Sequence, residues 1–157
     1  TNDIITNRII TVTKSGNNIS DYNDLSGKKL AVVTDIAKAA LDKNSTIKNN
    51  NKNTLYPTIE DALSALDNGS VDAVITDEFN FSPLENAEKY QVLNGELDKI
   101  SYAFMFKKGD WVVENWNEAI YELKSPDYND KDEFTPMVEK YFGYNASSFD
   151  YVPSKTK

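Results

Sequence analysis

The sequence predicts an α/β domain built on a doubly wound, mostly parallel sheet, and three observations carry that expectation. From residue 29 onward, short β-prone runs alternate with stretches of helical periodicity. The run Lys29-Leu30-Ala31-Val32-Val33 is continuously apolar after its first residue, which suits a strand covered by helices on both faces. A length of 157 residues fits one compact domain and barely allows two.

Taken in order, residues 8–14 alternate Ile10 and Val12 with polar side chains and form the first strand. The apolar run 29–33 is the next, and residues 36–43 follow as a short helix with Ala37, Ala40 and Leu41 on one face. The asparagine-rich stretch after it reads as a solvated loop. Thr54-Leu55-Tyr56-Pro57 is a strand limited by a proline that cannot donate to a ladder.

The clearest helix begins at the N-cap Thr58, carries acids in its first turn, and spaces Ile59, Ala62, Leu63 and Leu66 along one face. Asn68-Gly69 ends it, and residues 71–76 form a strand. Ser82-Pro83-Leu84-Glu85 combines a capping box with proline at the first helical position, predicting a helix to about residue 90 and then a strand at 91–93. Residues 102–107 are aromatic and β-prone. A helix over 110–124 carries Val112, Trp116, Ala119, Ile120 and Leu123 as its apolar stripe. After a polar break at 125–132, a last helix over 134–142 ends at Gly143, and residues 144–157 read as a tail.

Composition excludes whole classes of function. The net charge of -8 repels phosphate backbones and anionic lipid, and no Lys/Arg stripe offsets it, so nucleic acid is not expected as a partner. With no Cys and no His, thiolate and imidazole metal sites, cysteine nucleophiles and Ser-His-Asp catalysis are ruled out. No metal or cofactor is expected. Residues 1–8 have neither a basic start nor an apolar signal core, which leaves a cytosolic protein or an internal piece of a longer precursor.

Ligands of open parallel sheets bind beyond the carboxyl ends of the strands, where loops and helix N-termini converge. Two stretches meet that description: Thr34-Asp35-Ile36-Ala37 and Asp77-Glu78-Phe79-Asn80. Asp77 and Glu78 place two carboxylates at a strand end, where one can hold an ammonium group; the alternative is a pair of solvated loop acids or caps. Asp35 stands where a helix N-terminus otherwise welcomes an anion, and Thr34 or Asp35 equally suits an ordinary N-cap. Adjacent acids rarely aim at one bond, so a general acid–base pair is the weaker interpretation. Tyr102, Phe104, Phe106, Trp111 and Trp116 sit at strand and helix spacing, as core aromatics do.

Separated motifs in a fixed order then carry a resemblance: residues 24–33 (DLSGKKLAVV), residues 59–77 (IEDALSALDNGSVDAVITD), residues 106–110 (FKKGD), and the terminal Lys140-Tyr141-Phe142-Gly143. Over about residues 8–143 the chain resembles the family 3 extracellular solute-binding proteins, the amino-acid type of the type 2 periplasmic-binding-protein fold. The resemblance implies a second lobe at 8–99, a return crossover and C-terminal helices at 100–143, and a tail at 144–157. It implies capture of amino acids or similar small polar solutes for an ABC transporter, with no catalysis.

It further implies an extracellular lipoprotein of a Gram-positive cell, anchored to the outer face of the membrane, with a membrane permease and a missing first lobe as partners. A homodimer of the fragment would cover the faces which that lobe leaves bare. Asp77 falls on the position that pairs with a ligand's amino group, and Thr34, Asp35 and Glu78 complete the expected site. Where family members carry a Gly-Thr-Thr type turn, this chain has Asp35-Ile36-Ala37, which exchanges a hydroxyl for a carboxylate. That change supports a rival interpretation, a ligand-sensing or interaction module with a degenerate solute site.

Overall fold

The computed structural model describes residues 1–124 and 134–142. The chain divides into two compact units, one formed by Arg8–Lys99 and the other by Thr1–Asn7 with the described residues from Ile100 on.

In the Arg8–Lys99 unit, the strands are β1 (Asp3–Lys14, entering at Arg8), β2 (Lys29–Val32), β3 (Lys52–Leu55), β4 (Ala73–Asp77) and β5 (Tyr90–Val92). Their order is β3-β2-β4-β1-β5, with β2 parallel to both β3 and β4 and β1 antiparallel to β4 and β5. The expected α/β class and its parallel centre are therefore observed, and the antiparallel β1 is an addition.

Helices α1 (Asp35–Lys43), α2 (Ser45–Asn50) and α3 (Ile59–Asp67) connect the parallel strands. Two apolar cores result, one on each face of the sheet. Leu30, Val32 and Ile75 pack with Ala37 and Leu41 of α1, while Ala31, Val33 and Val74 pack with Leu63 and Leu66 of α3. Every residue of β4 is buried, which is why its sequence shows an apolar run instead of strict alternation. At about 1.5–3 kcal/mol for each large apolar side chain removed from water, these two layers dominate the stability of the unit.

The asparagine-rich stretch is ordered, contrary to the expected loop, because its asparagines act as caps. The Ile47 N–H donates to Asn44 Oδ1 at 3.1 Å and starts α2. Asn51 donates to the Ile47 carbonyl at 2.7 Å and accepts from the Lys28 N–H at 2.9 Å, tying α2 to the start of β2. The helix expected at 82–90 is also replaced. Asp77 caps a short helix α4 (Glu78–Phe81) first, and the chain then advances by turns, with the Leu84 N–H on the Phe81 carbonyl and the Ala87 N–H on the Leu84 carbonyl. Ser82 still holds helical φ -63° and ψ -30° as the C-cap, and Pro83 after it has no N–H to donate to a further turn, so α4 stops there.

In the other unit, β6 (Asp98–Ala103) pairs with β1, and α5 (Val112–Lys124) and α6 (Phe134–Phe142) follow. The strand ends four residues short of the expected 107. At Phe104 the partner strand has run out, and Thr1 takes over: its Oγ1 accepts from the Phe104 N–H at 2.9 Å and its ammonium donates to the Phe104 carbonyl at 3.0 Å.

Ile120, Phe134 and Val138 are buried, but Tyr102, Phe104, Trp111 and Trp116 are exposed by 42%, 46%, 77% and 41%. The expected core aromatics thus lie largely at the surface. Trp116 gathers Phe104 and Phe106 around it, with ring centroids at 4.8 and 6.1 Å. The expected break at 125–132, the stop at Gly143 and the tail at 144–157 lie outside the described residues. No helix among the described residues is long and apolar enough to cross a membrane.

Candidate functional site

The parallel register Leu30↔Ala73, Ala31↔Val74, Val32↔Ile75 brings the carboxyl ends of β2 and β4 side by side, so two loops far apart in sequence meet at one end of the sheet. The Val33 N–H donates to the Ile75 carbonyl at 3.0 Å and extends the match by one bond. All four expected site residues, Thr34, Asp35, Asp77 and Glu78, lie at this end.

Thr34 adopts φ 77° and ψ 152°, the one positive φ at a non-glycine among the described residues. This backbone region is almost exclusive to glycine, and occupying it costs about 1–3 kcal/mol. The conformation turns the chain sharply from β2 into α1. The Thr34 hydroxyl accepts from the Ala37 N–H at 3.2 Å, and the Thr34 carbonyl accepts from the Lys38 N–H at 3.0 Å. Thr34 is therefore the N-cap, and Asp35 stands exposed in the first turn of α1. Beside them opens a pocket of about 320 Å³ walled by Val32, Val33, Leu55, Tyr56 and Pro57. That is the small end of the range for ligand sites. Leu55 is 61% exposed and Tyr56 partly buried, so the pocket has an apolar flank opposite its acid. Sequence reasoning placed Leu55 and Tyr56 on a strand only, because their position beside Thr34 depends on the β2–β3 register.

Asp77 is 2% exposed and ends β4. Its Oδ1 accepts from the Asn80 N–H at 3.2 Å and its Oδ2 from Asn80 Nδ2 at 2.7 Å, so it is the N-cap of α4. Glu78 is 6% exposed and lies in a two-pronged ion pair: Arg8 Nε donates to Oε2 at 2.9 Å and Arg8 Nη2 to Oε1 at 2.5 Å. The pairing Ile9↔Asp77 of β1 with β4 delivers Arg8 to this place. Arg8 is the residue that sequence reasoning missed. Its partner is fixed by an antiparallel register between strands more than sixty residues apart, and no local signal encodes that.

The four residues do not act alike. Glu78 is neutralised and Asp77 holds α4, whereas Asp35 faces solvent beside a pocket. No group of three or more metal-ligating side chains is assembled among the described residues.

No protein-family model and no curated protein matches this sequence. Solved structures do. The second substrate binding domain of a putative amino acid ABC transporter from Streptococcus pneumoniae shares 25% identity at a TM-score of 0.69, covering 90% of this chain and 64% of that one. A substrate binding protein of a polar amino acid ABC uptake transporter from Streptococcus thermophilus shares 23% at 0.70, covering 92% and 57%. The GluR0 ligand-binding core from Nostoc punctiforme, in complex with L-glutamate, shares 21% at 0.61, covering 92% and 65%. The chain thus spans less than two thirds of the length of each. The first two of these are amino acid ABC transporter substrate-binding proteins and the third is a ligand-binding core, and the fold expected from the resemblance is the fold observed.

Proposed function

We propose that this chain is the second lobe and C-terminal return segment of an extracellular solute-binding protein that captures amino acids or similar polar solutes for an ABC transporter. The observation that carries this is the likeness to the Streptococcus pneumoniae substrate binding domain over 90% of the chain, with the expected site residues gathered at the carboxyl ends of parallel strands. The role is binding, without catalysis: the sequence lacks His and Cys, and of the acids at this end Asp77 caps α4 and Glu78 pairs with Arg8. On this reading the parent is a lipoprotein outside a Gram-positive cell, serving a membrane permease.

Charge sets the expected ligand. The Thr34 hydroxyl already takes the Ala37 N–H, and Asp35 in the first turn of α1 adds a negative charge at the end where the helix dipole is positive, which disfavours a ligand carboxylate there. Asp77 supplies an anion at the neighbouring strand end. A cationic or neutral solute, with an ammonium or amide on Asp77, suits this end better than glutamate or aspartate. The test is thermal shift of the full-length parent with basic, neutral and acidic amino acids, comparing wild type with Asp35→Gly and Asp77→Ala. Strongest stabilisation by acidic amino acids, or no effect of Asp77→Ala on a bound ligand, overturns the charge argument.

A second reading has its own observation. Asp77 and Glu78 are both buried and already engaged, by Asn80 and Arg8, as expected of a sensing or interaction module whose solute site has degenerated. Absence of any amino-acid ligand for the wild-type parent, with binding restored by Asp35→Gly, selects this alternative.

A further inference from the structure

Strand β3 lies at the edge of the sheet, and its residues Lys52, Asn53 and Thr54 are polar and exposed, as edge positions usually are. Leu55, the last residue of the strand, is apolar and also exposed, by 61%. Single exposed leucines are ordinary on a protein surface. This one continues through Tyr56 and Pro57 into an apolar wall of the pocket beside Thr34. The register explains its placement: Leu55 pairs with Val32, whose side chain packs into the layer beneath α1, so Leu55 lies on the same side of the sheet, at the end where α1 begins. The Tyr56 N–H donates to the Val32 carbonyl at 3.0 Å and holds the wall against β2. Asp35, the first residue of α1, lines the same pocket. Lys38, whose charge Asp35 also supports from three residues away, is engaged by Asp42 at 2.8 Å.

We propose that Leu55 is a specificity-determining residue of this site: with Tyr56 and Pro57 it takes the aliphatic stem of the solute, whose terminal cation meets Asp35 across the pocket, so that long-stemmed cations bind better than short ones. The proposal rests on the solute-binding reading above and adds to it the residue that reads the length of the solute's side chain. A methylene chain laid on this wall leaves water, while its charged end stays wet beside an exposed carboxylate, the arrangement that lysine and arginine side chains adopt on protein surfaces. A fully covered methylene is worth a factor of about four in affinity, and one covered on a single side about two. An exposed acid alone attracts short and long cations alike, and an apolar wall alone takes no account of charge. Selection for both length and charge needs the two together.

The experiment measures dissociation constants of L-2,4-diaminobutyrate, L-ornithine and L-lysine for the full-length parent by calorimetry. These probes share their α-carbon groups and terminal ammonium and differ by one methylene each, and at about pH 6 all three side-chain amines are protonated. The wild type is expected to bind L-lysine at least fourfold more tightly than L-2,4-diaminobutyrate, about twofold for each of the two added methylenes. Because Leu55 is exposed, Leu55→Ser leaves the core intact, and it should lower that ratio at least twofold. Leu55→Met keeps an apolar wall and should keep the ratio. Asp35→Asn should weaken all three probes together and leave the ratio in place. A purely structural role for Leu55 would likewise move all three together. A wild-type ratio under fourfold, a Leu55→Ser ratio less than twofold lower, or a Leu55→Met ratio that falls as far as that of Leu55→Ser overturns the proposal. A parent that binds no amino acid at all removes the functional reading and this inference together, whereas one that binds amino acids but none of these three, or binds them with a ratio indifferent to Leu55, removes this inference alone.

Discussion

Thr34 offers a perturbation in which two substitutions of similar size pull in opposite directions. Its backbone sits at φ 77° and ψ 152°, and its hydroxyl caps α1 through the Ala37 N–H. Thr34→Ala keeps a Cβ in the strained region and deletes the cap, so it loses about 1 kcal/mol. Thr34→Gly deletes the same cap, for which glycine substitutes at a loss of a few tenths of a kcal/mol. It also releases roughly 1–3 kcal/mol of strain, against about 0.5–1 kcal/mol for the freer unfolded chain.

The glycine variant is therefore expected to be no less stable than wild type, and about 1–2 kcal/mol more stable than the alanine variant. With a urea dependence of about 1–3 kcal/mol per molar, that separates their midpoints by roughly 0.3–2 M, readable by circular dichroism. An alanine variant as stable as the glycine variant, at equal slopes, would refute the claim that this turn stores strain.

Further outcomes follow from the same structure. Leu66, 2% exposed in the core between α3 and the sheet, should lose about 2–5 kcal/mol on Leu66→Ala in the same urea titration. Three surface carboxyls are held below their ordinary range: Asp42 down to about 2, by Lys38 and then Lys48; Asp98 by Lys43 and then the Lys99 N–H; and Asp24 by the backbone N–H groups of Ser20 and Asp21. Because each carboxyl is more acidic folded than unfolded, their contribution is complete above the unfolded value of 3.8 and is lost as pH falls below it, in the case of Asp42 as pH falls to about 2. The melting temperature should decline through that window, less steeply in high salt. If the proposed function holds, with this chain as one side of a cleft, it should by itself bind free amino acids weakly by calorimetry, and micromolar affinity would overturn that. It should also self-associate in light scattering through the exposed Phe104 and Trp116 of the ring cluster, and Trp116→Ser should weaken the association; a strict monomer at high concentration contradicts this.

Much of the fold was legible because its signals are local. The apolar run ending at Val33, the Thr58 cap with Ile59, Ala62, Leu63 and Leu66 on one face, and the Asn68-Gly69 stop each declare themselves within a few residues. Segments 44–52 and 78–90 were less legible because there the same residue types support competing structures. Asparagine caps a helix as readily as it breaks one, and the Ser-Pro-Leu-Glu signature lost to an earlier cap at Asp77 whose partner, Asn80, lies only three residues on.

The sequence by itself determined the α/β class, the parallel centre of the sheet, and the placing of Thr34, Asp35, Asp77 and Glu78 at strand ends, since periodicity and capping are properties of neighbouring residues. The tertiary structure alone decided that β1 runs antiparallel, that Arg8 therefore closes on Glu78, and that Leu55 and Tyr56 flank the pocket beside Thr34. It also decided that Trp111 and Trp116 face solvent although their spacing suits a core. Each of these depends on which distant strand or helix a residue meets, and that is a property of register and packing, which a local pattern of side chains does not contain.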